Sequence, residues 1–185
     1  MQKIVITGVA GFIGFHLAKR LLEEQNLTII GIDNLNNYYS VKLKKDRLKI
    51  LKKYKNFSFT KGLLENEKVL NNSILKFKPS IIIHLAAQAG VRYSIKNPKN
   101  YLNSNIVGTF NVLKSAHKIN IKHLIIGSSS SVYGANKSFP FREIDKTDHQ
   151  VSFYAATKKS TESLAHSYSN LWKIPVTILR FFTVY

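Results

Sequence analysis

The sequence predicts an α/β fold: a doubly wound parallel sheet with helices on both faces. Two patterns carry this expectation. Short apolar, β-branched runs alternate with longer amphipathic stretches along the whole chain, and a glycine-rich turn joins the first strand to the first helix. Strict alternation of strand and helix implies right-handed βαβ units, which set the strands parallel and the helices on the two faces.

The apolar run at 3–7 predicts the first strand, and the amphipathic stretch at 12–24 the helix that follows it. Thr-Ile-Ile-Gly-Ile at 28–32 is the second strand. The next helix, at 41–54, is basic. Leu43, Leu48, Ile50, Leu51 and Tyr54 recur in it at roughly helical spacing, so its lysines are expected on a solvated face. A strand at 57–60, a helix at 67–77 and the strand Ser-Ile-Ile-Ile-His at 80–84 continue the alternation. A helix at 98–117, a strand at 122–126, a helix at 152–171 and a strand at 176–180 complete it.

Bulk composition removes several function classes. The 185 residues suffice for one sizeable core, and 44% hydrophobic content with 9 Gly and 4 Pro is ordinary globular composition. No apolar run reaches the ~18 to 20 residues that cross a bilayer, so no membrane span is expected. The chain enters its first strand at once, without a signal-peptide pattern, which predicts a cytoplasmic protein. Zero cysteines exclude disulfides and thiolate metal sites, and the 6 His lack zinc-ligand spacing, so no metal is expected. The formal net charge of +18 is unusual. Its densest block is the basic helix, so it reads as solvated charge, and no specific nucleic-acid partner is expected.

Chemistry concentrates at three places. Gly8-Val9-Ala10-Gly11-Phe12-Ile13-Gly14 follows the first strand and opens the first helix, where backbone N–H groups and the helix dipole favour a pyrophosphate. Asp33 ends the second strand 19 residues after Gly14, near the ~20 expected of an acid that holds ribose hydroxyls, and its charge favours NAD over NADP. Tyr154 and Lys158 stand at i and i+4, on one face of a helix. A free phenol with pKa ~10 is a poor base at neutral pH, and nearby cations favour its phenolate. The run Ser128-Ser129-Ser130-Ser131 follows the fifth strand, at the carboxyl edge where ligands bind in such sheets.

Together these segments resemble the extended short-chain dehydrogenase/reductases of the NAD-dependent epimerase/dehydratase family, and within them the UDP-glucuronate 4-epimerases. Further segments carry the likeness: Asp33-Asn34-Leu35-Asn36-Asn37-Tyr38-Tyr39, the stretch from His84-Leu85-Ala86-Ala87-Gln88 to Arg92-Tyr93-Ser94, Asn105-Ile106-Val107-Gly108-Thr109, and Leu179-Arg180-Phe181-Phe182-Thr183-Val184-Tyr185. The resemblance implies a Rossmann-like fold. It also implies Ser129, Tyr154 and Lys158 as the catalytic set, and a cofactor site for NAD from Gly8, Gly11, Phe12, Ile13, Gly14, Asp33, Asn34, Asn37, Leu85, Ala86, Ala87, Asn105 and Lys158.

The implied reaction takes the proton of the C4 hydroxyl of a UDP-sugar with the Tyr154 phenolate while the C4 hydrogen passes as hydride to NAD. The resulting 4-keto sugar turns over and is reduced on its other face. Dehydratases of this type carry an Asp-Glu pair after the catalytic hydroxyl, and a UDP-xylose-forming decarboxylase an acid at the place of Ser131; serines stand here at 130 and 131. The resemblance therefore points to epimerisation, with Ser130, Ser131, Thr183, Gln88 and Arg92 expected about the glucuronate carboxylate beside Ser129 and Tyr154.

Two departures accompany the likeness. Leu63 stands where the family usually has an aspartate facing the adenine amino group. The chain is also expected to be the NAD-binding Rossmann domain alone, over 1–185, with the C-terminal substrate lobe of the family absent. A homodimer is implied by family analogy only. The alternatives are a UDP-glucose/galactose 4-epimerase, a non-catalytic NAD-binding module and, on charge alone, a polyanion binder.

Overall fold

The computed structural model describes residues 1–24 and 26–185. Six parallel strands form one sheet: β1 (Gln2–Thr7), β2 (Leu27–Asp33), β3 (Phe57–Lys61), β4 (Ile81–His84), β5 (His123–Ser129) and β6 (Val176–Phe181), in the order β3-β2-β1-β4-β5-β6. Successive strands are added to one side from β1 to β3 and to the other from β4 to β6, so the order reverses between β1 and β4, whose last residues, Thr7 and His84, are paired. In open α/β sheets a ligand crevice forms outside the carboxyl ends at such a reversal.

The pleat sends alternate residues of each strand to opposite faces, and the core divides accordingly. Ile4 and Ile6 of β1 and Ile83 of β4 join Val9, Phe15, Leu22, Ile29, Leu48 and Leu51 on one face. Helices α1 (Phe12–Leu22) and α2 (Val41–Leu51) cover it. Val5, Ile32, Ile82, Leu124 and Ile126 join Leu70, Ile74, Val112, Leu113 and Ala165 on the other. Helices α3 (Glu67–Leu70, running into a π turn at Asn71–Leu75), α6 (Gly108–Lys118) and α7 (Phe153–Trp172) cover that side. The doubly wound arrangement read from the alternation is thus the one observed.

Three local expectations need correction. The stretch at 98–117 is not one regular helix: α5 (Pro98–Tyr101) passes through a π-helical segment, Leu102–Val107, before α6 begins. A short helix, α4 (Val91–Lys96), precedes it; six residues are too few to show a periodic stripe. On α2 the buried face is Lys44, Leu48 and Leu51, while Leu43 and Ile50 point outward, so one lysine of the supposedly solvated face is inside.

Among the described residues no helix is long and apolar enough to cross a membrane, and no cluster of His, Cys, Asp and Glu could hold a metal ion.

Candidate active site

The glycine turn is shaped by contact. Gly8 has φ +74°, a conformation L side chains rarely adopt, and a Cβ there would lie 2.8 Å from the Ala86 backbone N. A Cβ on Gly14 would collide with the Gly8 carbonyl oxygen. The turn therefore packs backbone against backbone, and Gly11 precedes α1 as an N-cap with no side chain to accept from its first N–H groups. Its first-turn residues Phe12, Ile13 and Gly14 line a crevice, where their N–H groups lack intrahelical acceptors.

That crevice runs along the carboxyl edge in two adjoining parts, which share Gly8, Gly11, Leu85 and Ala87. The first part is lined further by Asp33, Asn34, Asn36, Tyr39, Lys44, Gly62, Leu64, Glu65 and Ala86. Asp33 is held there with Oδ2 accepting from the Ala10 N–H at 3.0 Å and Oδ1 from the Leu35 N–H at 2.8 Å. Asn34 closes a turn by accepting from the Asn36 N–H at 2.9 Å. Asn36 lines the wall, whereas Asn37, the neighbour singled out by resemblance, is exposed. Leu63 lies outside this part, half exposed, and the acid near it is Glu65.

The second part holds Ser128, Ser129, Tyr154 and Lys158, with Phe181, Phe182 and Val184 as an apolar wall. Strand β5 runs on to Ser129, three residues past its predicted end, and a 3-10 turn, Ser130–Tyr133, follows. Ser129 Oγ accepts from the Ser131 N–H at 3.2 Å, so the serine caps this turn. Ser130 and Ser131 lie on the turn itself, half-buried and outside the crevice lining, while Arg92 and Thr183 are exposed.

Helix α7 begins at Ser152, whose side chain accepts from the Ala155 N–H at 3.0 Å. Its first turns bring Tyr154 and Lys158 to the crevice. Burial pushes the Tyr154 phenol up, and the facing Ser129 hydroxyl offsets part of this. Lys158 is buried; its Nζ donates to the Gly127 carbonyl at 2.5 Å, and burial brings the ammonium down to about 8, with Glu162 acting the other way. With its phenol raised above the ordinary value, the tyrosine is neutral at pH 7.

Two residues hold these groups, Asn105, which resemblance assigns to the cofactor, and Glu162, which lies outside the predicted set. Asn105, buried in the π segment, accepts from the Gln88 N–H at 2.7 Å and donates to Gln88 O at 3.1 Å and Thr157 Oγ1 at 3.0 Å. Its side chain therefore ties the loop after β4 to α7. Glu162, one turn beyond Lys158, accepts from Ser128 Oγ at 2.6 Å and from Arg180 Nε and Nη2, both at 3.0 Å. The i+4, i+8 recurrence from Tyr154 was the signal in the sequence that could have found it.

His84, the buried last residue of β4, bridges Thr7 Oγ1 at 2.7 Å and Thr109 Oγ1 at 2.9 Å. Burial, with Lys158 adding to it, pushes its imidazole down to about 3, so the fold holds it neutral. An unfolded chain takes up this proton below pH ~6.5. Stability is therefore complete above that pH and falls as pH drops toward 3, by up to about 1.4 kcal/mol per pH unit. We expect His84→Gln to flatten the loss between pH 6.5 and 5.5 in urea unfolding; parallel curves for the two proteins would refute the assignment.

Comparison with known proteins agrees with this geometry. The family model described as the NAD dependent epimerase/dehydratase family matches residues 4–185. The chain belongs to that family. It is 56% identical over its whole length to Protein CapI of Staphylococcus aureus and 50% identical to a probable UDP-glucuronate 4-epimerase of Rhizobium meliloti, covering 54% of each. It superposes with a TM-score of 0.90, at 36% identity, on the UDP-glucuronic acid 4-epimerase of Bacillus cereus solved with UDP-glucuronic acid and NAD, covering 57% of that chain. The chain thus spans about half the length of the relatives it matches.

Proposed function

We propose that residues 1–185 form the NAD-binding and catalytic part of a UDP-sugar 4-epimerase with UDP-glucuronate as substrate. The observation that carries this reading is that Ser129, Tyr154 and Lys158 meet in the same crevice as the glycine turn and Asp33. A glycine-lined backbone cradle that a Cβ would fill, open helix N–H groups and a carboxylate in the first part fit the two phosphates and ribose of a dinucleotide. The adenosine half then lies at Asp33, Asn34 and Asn36, and the nicotinamide half at Ser129, Tyr154 and Lys158.

Bound NAD supplies a hydride acceptor and a positive charge. Tyr154 takes the proton of the sugar C4 hydroxyl, and Ser129 hydrogen-bonds the same oxygen. Lys158 holds the nicotinamide ribose and stabilises the phenolate. Phe181, Phe182 and Val184 exclude water from one side. The turn after Ser129 carries no acid at 130 and 131, which favours retention of the sugar carboxylate, and the names of the Rhizobium and Bacillus relatives support that substrate. In a protein as long as those relatives, the grip on uridine diphosphate comes from the other half of the chain.

The test is to titrate the chain with NAD, then to incubate a form extended by the C-terminal half of a relative with UDP-glucuronate and with UDP-glucose, resolving the 4-epimers. Interconversion of UDP-glucuronate with UDP-galacturonate is expected. Equal turnover of UDP-glucose would move the assignment to a UDP-glucose/galactose epimerase, and NAD binding without turnover of either sugar would leave a binding module.

A further inference from the structure

Of the five Lys and Arg side chains on α2, the fold buries one, Lys44, at 4% exposure. Withdrawing an ammonium from water is unfavourable unless protein groups replace its hydration. Here the replacements come from one short segment. Lys44 Nζ donates to the Asn36 carbonyl at 2.8 Å and to Asn36 Oδ1 at 2.7 Å, and it lies 4.2 Å from the Tyr39 ring centroid. No carboxylate among the described residues lies within ion-pair distance of it; Asp33 acts only at longer range, against the burial that lowers the ammonium's proton affinity.

One turn further along α2, Arg47 Nη1 donates to Tyr39 Oη and to the Ala10 carbonyl, both at 3.2 Å. On the opposite side, Tyr38 packs on Tyr93 of α4 with ring centroids 4.9 Å apart. The segment between β2 and α2 therefore bridges α2, the glycine turn and α4, and Asn36, Tyr39 and Lys44 face the crevice part that holds Asp33.

We propose that Lys44 is a positioning residue of the dinucleotide site, latching Asn36 and Tyr39 against the adenosine half so that bound cofactor leaves only when this latch opens. The proposal rests on the crevice being the NAD site. A charged donor makes hydrogen bonds roughly twice as strong as neutral ones, so two of them on one residue can hold a surface segment that would otherwise open freely. The latch acts on departure more than on arrival, because it closes beside a ligand already in place.

Stopped-flow fluorescence of NADH with the whole chain tests this. Lys44→Met is expected to raise the NADH dissociation rate about 10- to 100-fold, with the association rate changed less than about threefold. Asn36→Ala, which keeps the lysine, is expected to act in the same direction, and the double variant to be no faster than Lys44→Met alone. If Lys44→Met does not fold, Asn36→Ala and Tyr39→Leu carry the test. Absence of NADH binding by the wild type refutes the NAD-site reading itself. Binding by the wild type with unchanged dissociation in the variants overturns the latch. A loss confined to a salt-dependent association rate also overturns it, as does a lower cofactor-free Tm with no change in release.

Discussion

Tyr154→Phe is expected to lower epimerisation by about 10²- to 10⁴-fold, the range that general acid-base catalysis supplies, while NAD affinity stays within about twofold. The substitution removes one oxygen and little else. The Tyr154 ring packs edge-on against Tyr101 at 6.0 Å, and its N–H donates to Ser94 Oγ at 3.2 Å; Phe keeps both contacts. The same geometry fixes a pH profile. Burial raises the phenol, so the reactive phenolate grows in with rising pH. Lys158, brought down to about 8 by burial, loses its charge above that pH and with it the field that favours the phenolate. A bell-shaped kcat/KM profile is expected, because the phenolate that grows in with rising pH and the ammonium that is lost above about 8 oppose each other. Parallel measurement of UDP-glucuronate turnover and NAD titration checks the variant, and turnover near the parent rate would eliminate Tyr154 as the base.

The elements that set this chemistry differ in how far the sequence discloses them. The six strands are legible because each is an apolar run bounded by polar residues, and parallel order follows from the helices between them. The glycine turn is legible because Gly8 and Gly14 meet a backbone constraint no other residue satisfies. Tyr154 and Lys158 are legible through i, i+4 spacing. Lys44 is not, since its partner Asn36 lies in a loop whose path depends on Asp33, Tyr39 and Arg47 together; a lysine in a basic helix reads as solvated until that loop folds over it. Asn105 is named by resemblance, but its tie to Gln88 and Thr157 is not legible, because the π segment that turns it has no periodicity to betray it. Asn37, Arg92 and Thr183, named by resemblance alone, lie outside the crevice lining in this chain.

Glu162→Gln is expected to destabilise the fold by about 3 to 5 kcal/mol, the usual effect of leaving a buried charge without its partner. Arg180 keeps only the Glu143 carbonyl at 3.2 Å and the Tyr133 ring at 4.9 Å once the carboxylate is gone. At ~2 to 4 °C per kcal/mol for a domain of this size, Tm should drop on the order of 10 °C. Burial pushes the Glu162 carboxyl up, but hydrogen bonds from Arg180 and Ser128 outweigh it and leave it below its ordinary value. The pair's contribution is thus present above pH ~4.3 and lost as pH falls through the lower folded value. The loss should come from the unpaired charge rather than from the pair's intrinsic strength. Glu162→Leu combined with Arg180→Met should therefore recover most of the stability, since apolar replacements of both partners are often neutral or better. The catalytic side would not recover with it. Glu162 is the group that raises Lys158 toward its charged form and, through Ser128, joins β5 to α7 beside Ser129. The double variant should melt near the parent temperature yet show its pH–activity profile shifted to lower pH. Recovery of both stability and pH profile would reduce Glu162 to a structural role.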